Sequence, residues 1–245
     1  GTTRDAIDTR IKYHGEEYIL IDTAGIRRKS KVKYGVESFS VARSLRAISQ
    51  ADVVVHVLDV SEDISEQDQR IAGKIEEAGR AVVIVMNKWD LKDDKSSSAM
   101  NKILDEVKAE LRHVGYAEVV FTSALNKVRV QKILDAAVKA YSETTRRIST
   151  SLVNQIVNES VALVPPPSGK RGKRLKIYYA TQVSASPPTF VLFVNDEHLL
   201  PKNYKSYLER KLRESFGFYG TPIRIAARSK SKTASRRSRP RPRRS

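Results

Sequence analysis

Three short apolar runs, each ending in a chemically pointed turn, constrain this chain more than any other feature of its 245 residues. Tyr18-Ile19-Leu20-Ile21 leads into Asp22-Thr23-Ala24-Gly25-Ile26. Ala81-Val82-Val83-Ile84-Val85-Met86 leads into Asn87-Lys88-Trp89-Asp90, and Val119-Val120-Phe121-Thr122 into Ser123-Ala124. Continuous apolar runs of this length read as buried strands. The stretches between them have helical periodicity, so the expected fold is α/β, a doubly wound, mostly parallel sheet. Ligands of such sheets bind at the carboxyl ends of the strands, where all three turns fall.

The turn residues then suggest a ligand. Asp22 at a strand end can hold Mg²⁺, directly or through water. Gly25 lacks a Cβ, so its N–H can approach a terminal phosphate. Alone, Asp-x-x-Gly is an ordinary Asp-Gly turn; the other pieces decide the reading. The Asp90 carboxylate can accept two N–H bonds from a guanine edge, and Asn87 can bond the other side of the ring. Adenine lacks that donor pair and would leave the carboxylate unpaired. The backbone at Ser123-Ala124 can meet the base oxygen, and Thr3 of Gly1-Thr2-Thr3-Arg4-Asp5 can offer its hydroxyl to Mg²⁺. In this order the four pieces resemble the guanine-nucleotide motifs of the translation-factor class of GTPases.

Along the chain, residues 8–13 and 17–21 read as a hairpin with its turn at Tyr13-His14-Gly15-Glu16. Residues 27–35 form a basic loop and 36–50 a helix, with Val36, Phe39, Leu45 and Ile48 on one face. A strand follows over 53–58, then a helix over 65–78 that Ser61 or Ser65 caps. Asp59 reads as a structural strand-end carboxylate rather than a metal ligand. Helices are expected over 99–113, with Ile103, Leu104, Val107 and Leu111 inward, and over 127–145.

Residues 149–228 read as a second unit in the order α-β-β-α-β. Its first helix carries Leu152, Ile156 and Leu163 on one face and stops at Val164-Pro165-Pro166-Pro167. Strands over 175–183 and 189–194 precede a helix over 201–216, with Tyr204, Leu208 and Leu212 inward, and a strand over 222–227. This small layered unit resembles a KH domain. Gly169-Lys170-Arg171-Gly172 fits the G-x-x-G string of such domains, but joins a helix to a strand. It reads as a basic loop, with Lys170, Arg171, Lys173 and Arg174 as candidate RNA-phosphate contacts; a plain connector fits it equally well. Residues 229–245 cannot bury a core and are expected to be a disordered basic tail.

Charge and composition point the same way. Nine Lys and Arg and no acid lie from Arg228 onward, about half of the net charge of +17. Such a balance favours a polyanionic partner. There are no cysteines, which excludes disulfides and Cys-ligated metal. No apolar run approaches the roughly 18 residues of a membrane span, and the opening stretch is not a signal peptide.

With Leu200-Pro201-Lys202-Asn203-Tyr204 and Gly220-Thr221-Pro222-Ile223-Arg224-Ile225 added to the turn motifs, the chain resembles the Der (EngA) family of GTPases. Members carry two tandem GTPase domains and a KH-like domain and act in large ribosomal subunit assembly. The resemblance implies a second GTPase domain over 1–147 and a KH-like domain over 149–228. It also implies GTP/GDP and Mg²⁺ as ligands, ribosomal RNA and the large subunit as partners, and a monomer in a bacterial-type cytoplasm, with a plastid or other organelle as the alternative. No G-x-x-x-x-G-K-[ST] occurs; the phosphate cradle is expected before Gly1, and the chain is read as a fragment. Ile26 stands where many regulatory GTPases have a water-orienting Gln. Enzymes of that kind often use a bound K⁺, and no catalytic base can be named. The leading expectation is a GTPase switch that controls docking on ribosomal RNA. The alternatives are a non-hydrolysing RNA- or ribosome-binding module and an Era-like GTPase, the latter disfavoured by the misplaced G-x-x-G. A tRNA-modifying GTPase would not carry this C-terminal unit.

Overall fold

The computed structural model describes residues 8–21, 44–167 and 172–229. By its contacts the chain divides into two compact units. One holds Gly1–Arg146 with Phe218–Pro222, the other Arg147–Gly217 with Ile223–Ser245.

The first unit opens with a hairpin of β1 (Asp8–Tyr13) and β2 (Glu16–Ile21), paired antiparallel from Asp8↔Ile21 to Tyr13↔Glu16. His14 and Gly15 form its two-residue loop with φ of 49° and 85°. This is the left-handed geometry that matches the twist of the flanking strands. The hairpin stands where the sequence places it, but the expectation that Tyr18–Ile21 is buried fails, because Ile19 and Leu20 are exposed. Tyr18 and Ile21 are half-buried, and among the described residues β2 pairs only with β1.

The main sheet is parallel in the order β3-β4-β5, with β3 at Val53–Asp59, β4 at Ala81–Asn87 and β5 at Glu118–Phe121. β4 is central, and its successive side chains enter different cores. Val82, Ile84 and Met86 join the cluster with Leu58, Ile75, Val107, Leu111 and Phe121. Ala81, Val83 and Val85 join the other with Val120, Ala136 and Ala140. Helices α1 (Glu66–Ala78) and α2 (Ser97–Glu110) thus supply one face and α3 (Gln131–Thr145) the other. This is the doubly wound arrangement, and it explains why β4 reads as an unbroken apolar run.

Ser65 caps α1 in a reciprocal box with Asp68, and Ser96 caps α2 through Ala99 N. The segment 44–50 is helical and buries Ile48; the rest of the helix expected over 36–50 lies outside the described residues. Helix α3 begins at Gln131 rather than at Lys127. Lys127 and Arg129 have φ of 55° and 57°, which keeps the preceding residues in a loop.

The second unit has the expected α-β-β-α-β order: α4 (Thr150–Leu163), β6 (Ile177–Ala185), β7 (Pro188–Val194), α5 (Lys202–Phe216) and β8 (Arg224–Ser229). β6 and β7 pair antiparallel, β7 and β8 parallel. Tyr204, Leu208 and Leu212 of α5 are buried as expected, but α4 is turned by one residue. Val153, Val157 and Ser160 face inward, while Leu152 and Leu163 are exposed. Asn154 fixes this phase: its side chain donates to Ala180 O and accepts from Ala180 N, both at 2.8 Å. Near the end of α4, backbone carbonyls accept from tyrosines of α5. Tyr204 Oη donates to Val164 O at 2.7 Å and Tyr207 Oη to Ser160 O at 2.9 Å.

Candidate functional site

The carboxyl ends of β3, β4 and β5 converge, and the hydrogen-bond ladder runs past them into the loops. Asn87 lies beside Asp59 in register, and Val60 N donates to Asn87 O at 3.0 Å. Thr122 N donates to Met86 O and Trp89 N to Thr122 O, both at 2.9 Å. Three loops far apart in sequence are thereby held in one rigid cluster.

Asn87 is fixed through its side-chain oxygen, which accepts from Ala124 N at 3.0 Å and from Thr122 Oγ1 at 3.3 Å. Both bonds go to the oxygen, so the Nδ2 end is the one able to reach a ring nitrogen. The Ala124 N–H, part of the Ser123-Ala124 backbone expected near the base oxygen, here orients the Asn87 amide. The loop that presents it is tied at its ends: Ser123 N donates to Val128 O at 3.1 Å and Val128 N to Ser123 O at 2.9 Å. Ser123 Oγ accepts from Asn126 N at 3.1 Å. Ser123 is buried and serves this loop, whereas Ala124 lies on the surface.

Asp90 sits in a short 3₁₀ turn, Trp89–Leu91, directly after β4. Its Oδ1 is buried without a hydrogen-bond partner. A buried carboxylate oxygen left unpaired costs free energy, and a base edge with adjacent N–H donors would satisfy it. Asn87 and Asp90 therefore place a free amide donor end and an unpartnered acceptor on one turn. Trp89 contributes differently. Its ring is buried against Phe121, centroids 4.6 Å apart at 60°, so it anchors the turn from the core side.

Lys88 has φ 63° and ψ 33°, a left-handed conformation strained for a residue with a Cβ. Its ammonium lies 2.5 Å from Asp59 Oδ2. Partial burial pushes the Asp59 carboxyl up, but the Lys88 ammonium and two bonds from Ser61 outweigh this and hold it at about 2. The same contact raises the Lys88 ammonium. Asp59 is thus the residue that holds Lys88, a role invisible to motif reading because the two belong to different strands.

Asp22, Thr23, Ala24, Gly25 and Ile26 lie outside the described residues, as do Thr3, Lys170 and Arg171. Among the described residues no group of three His, Cys, Asp or Glu is placed to hold a metal, and no helix is long and apolar enough to cross a membrane. In the second unit Lys173, Arg174 and Lys176 are exposed on a segment locked by Asn195. Lys176 N donates to Asn195 Oδ1 at 2.8 Å, Asn195 Nδ2 to Arg174 O at 3.0 Å and Asn195 N to Lys176 O at 3.1 Å.

Comparison with known proteins agrees with both halves of this description. Residues 147–228 match the family described as KH-domain-like of EngA bacterial GTPase enzymes, C-terminal, and residues 1–88 match that described as 50S ribosome-binding GTPase. The chain is 49% identical over 231 residues to GTPase Der of Synechococcus sp. (strain JA-3-3Ab), covering 94% of this chain and 50% of the relative. It is 50% identical over 230 residues to GTPase Der of Gloeobacter violaceus, with the same coverage. A solved structure of Era in complex with MgGDPNP and 16S ribosomal RNA is 20% identical, covers 94% of this chain and 82% of its own, and superposes with a TM-score of 0.48. The chain spans about half the length of the curated relatives it matches, and over that half it belongs to the Der (EngA) family of GTPases.

Proposed function

We propose that this chain supplies the second guanine-nucleotide unit and the RNA-contacting unit of a GTPase that acts in large ribosomal subunit assembly, in a bacterial-type cytoplasm. The observation that carries the nucleotide half is the buried, unpartnered Oδ1 of Asp90 beside the oriented amide of Asn87. Asp90 takes the N1–H and exocyclic N–H of guanine, and Asn87 Nδ2 reaches the opposite side of the ring. Lys88, held at its ammonium by Asp59, lays its alkyl stem beside the base.

On the phosphate side, Thr3 and Asp22 are the residues proposed to hold Mg²⁺, and the Gly25 N–H the one that senses the terminal phosphate. The metal, when bound, neutralises charge on the phosphate oxygens during transfer. Ile26 cannot orient the attacking water, which favours a K⁺-assisted arrangement of the kind its family resemblance implies. GTP binding would then order the segment around Gly25 and change how the second unit meets RNA.

The exposed cations Lys173 and Arg174, with Lys170 and Arg171 and the basic tail, carry the RNA half of the reading. The test has two parts. In the full-length gene product, GTP should displace bound GDP while ATP at equal concentration does not. For this chain, affinity for ribosomal RNA should fall steeply with salt, and deleting residues 230–245 should weaken all RNAs about equally and flatten that slope. Displacement by ATP, or no RNA binding at low salt, would overturn the corresponding half.

A further inference from the structure

The β6-β7-β8 sheet has two unlike faces. Ala180, Phe190, Leu192, Val194 and Ile225 are buried in the core of the unit. Phe193 lies between two of these and so points the other way. In register it stands opposite Tyr179 on one side and beside Arg228 on the other, so one row across three strands reads Tyr179, Phe193, Arg228. The two rings stack at 4.2 Å with only 9° between their planes.

Tyr178 and Tyr179 are adjacent in sequence, yet both are exposed, at 45% and 43%. A regular strand would send one of them to the core. The pairing slips between Ile177 and Tyr179, and a bulge of this kind re-aims a side chain. The Lys176 ammonium lies 5.6 Å from the centre of the Tyr178 ring. Scattered exposed aromatics need no explanation, but here exposed Tyr178 and Tyr179 stand together, with half-buried Phe193 stacked on Tyr179, Lys176 over Tyr178 and Arg228 beside Phe193; Lys173 and Arg174, just before Lys176 in sequence, are exposed too. Glu197, near the end of β8, accepts from Ser229 N at 3.4 Å.

Flat rings with fixed cations beside them match what unpaired bases and their phosphates require, since every base has a face to stack and every phosphate a charge to neutralise. We infer that this sheet face is a stacking platform for single-stranded RNA, with bases on Tyr179 and Tyr178 and phosphates on Lys173, Arg174, Lys176 and Arg228. The inference rests on the RNA-binding reading above and adds to it where the chain holds RNA and in what form. A base on the outer face of Tyr179 extends a stack that Phe193 already supports. Stacking on neighbouring base pairs within a duplex would hide the base faces, so the platform selects single strands.

The test measures binding of the 245-residue chain to a short unstructured RNA and to a duplex of equal length, across a salt series. Tyr179→Ser and Tyr178→Ser should each weaken single-strand binding roughly tenfold, leaving the salt slope and duplex binding unchanged. Tyr179→Phe should retain wild-type affinity, which separates loss of stacking from loss of fold. Lys173→Ala with Arg174→Ala should flatten the salt slope for both RNAs. If the chain binds RNA and the tyrosine variants bind single strands as well as wild type, the platform is wrong and the face is better read as a protein-docking surface. If wild type binds neither RNA at low salt, the broader RNA reading fails, and the platform with it.

Discussion

The ammonium of Lys88 lies 2.5 Å from Asp59 Oδ2, and the two residues come from the ends of neighbouring parallel strands. Asp59 in turn accepts from Ser61 N at 2.9 Å and Ser61 Oγ at 2.6 Å. Lys88 is half exposed and solvent screens the pair, so it should add little to stability. Its larger effect should be on the base site. Asp59→Asn is expected to lower stability slightly at neutral pH and to raise the Kd for GDP in the full-length gene product, with Ser61→Ala a weaker version. The folded carboxyl sits at about 2, below its ordinary 3.8. Its contribution is therefore present above the ordinary value and is lost as pH falls from there towards 2. Urea unfolding of wild type and Asp59→Asn at neutral pH and near pH 3 should show the gap between them closing in acid. A gap that widens in acid would contradict the pairing.

Asp90→Asn should exchange guanine for xanthine. The unpartnered Oδ1 is an acceptor only; an amide at the same place offers a donor to the C2 carbonyl of xanthine and loses one bond to guanine. Loss of a hydrogen bond to a charged group costs about 1.5–3 kcal/mol, so GTP affinity should fall roughly ten- to hundredfold. Competition between GTP and XTP on the full-length gene product measures it. An unchanged preference for GTP would remove Asp90 from base reading.

Much of this site can be read from the sequence because a strand buried on both faces cannot hide its pattern. Val82 to Met86 alternate between two cores, so every residue is apolar, and the polar turn at Asn87–Asp90 stands out against them. The link from Asp59 to Lys88 was not legible, because it depends on the register between β3 and β4 rather than on any local pattern. Nor was the start of α3, where left-handed Lys127 and Arg129 delay a helix whose apolar pattern begins earlier. In helix α4 the apolar face Leu152, Ile156 and Leu163 runs one residue out of phase with the buried face, since the polar Asn154 is what bonds to the sheet. Ile19 and Leu20 show the opposite failure: an apolar pattern promised burial, and the two-stranded ribbon gives none.

His56 predicts a pH dependence of folding. It is buried on β3 on the same side as Leu58, and its Nε2 has no partner. Burial pushes its imidazole below the ordinary 6.5, with Asp68 opposing weakly. The unfolded chain therefore takes up a proton near 6.5 that the folded chain refuses, so stability should fall as pH drops below that value. His56→Leu should abolish the share of this loss that lies between pH 7 and pH 5. Denaturant midpoints at those two pH values, for wild type and variant, are the measurement. Equal pH dependence in both would assign the loss elsewhere.

Gly220 should be closed to substitution. Its φ is +71°, and a Cβ there would lie 2.7 Å from Ala140 Cβ and 3.2 Å from Val82 O. It cannot retreat, because its carbonyl accepts from Val82 N at 2.7 Å and its N–H donates to Tyr116 O at 3.0 Å. Its neighbours are held as well: Phe218 is fully buried and donates from N to Glu143 Oε2 at 2.9 Å. The Lys139 ammonium lies 5.3 Å from the Tyr219 ring. Gly220→Ala therefore combines backbone strain with overpacking and should cost about 2–4 kcal/mol. Gly15 is the control. Its φ is +85° but a Cβ there meets nothing within 4 Å, so Gly15→Ala carries the backbone strain alone, about 1 kcal/mol. Urea unfolding of the two variants, followed by the fluorescence of the single Trp89, compares them directly. Because Trp89 is buried against Phe121 in the core that Val82 helps to build, its emission should report the loss at Gly220. Equal destabilisation by the two substitutions would show that the packing around Gly220 yields, and that only its backbone angle matters.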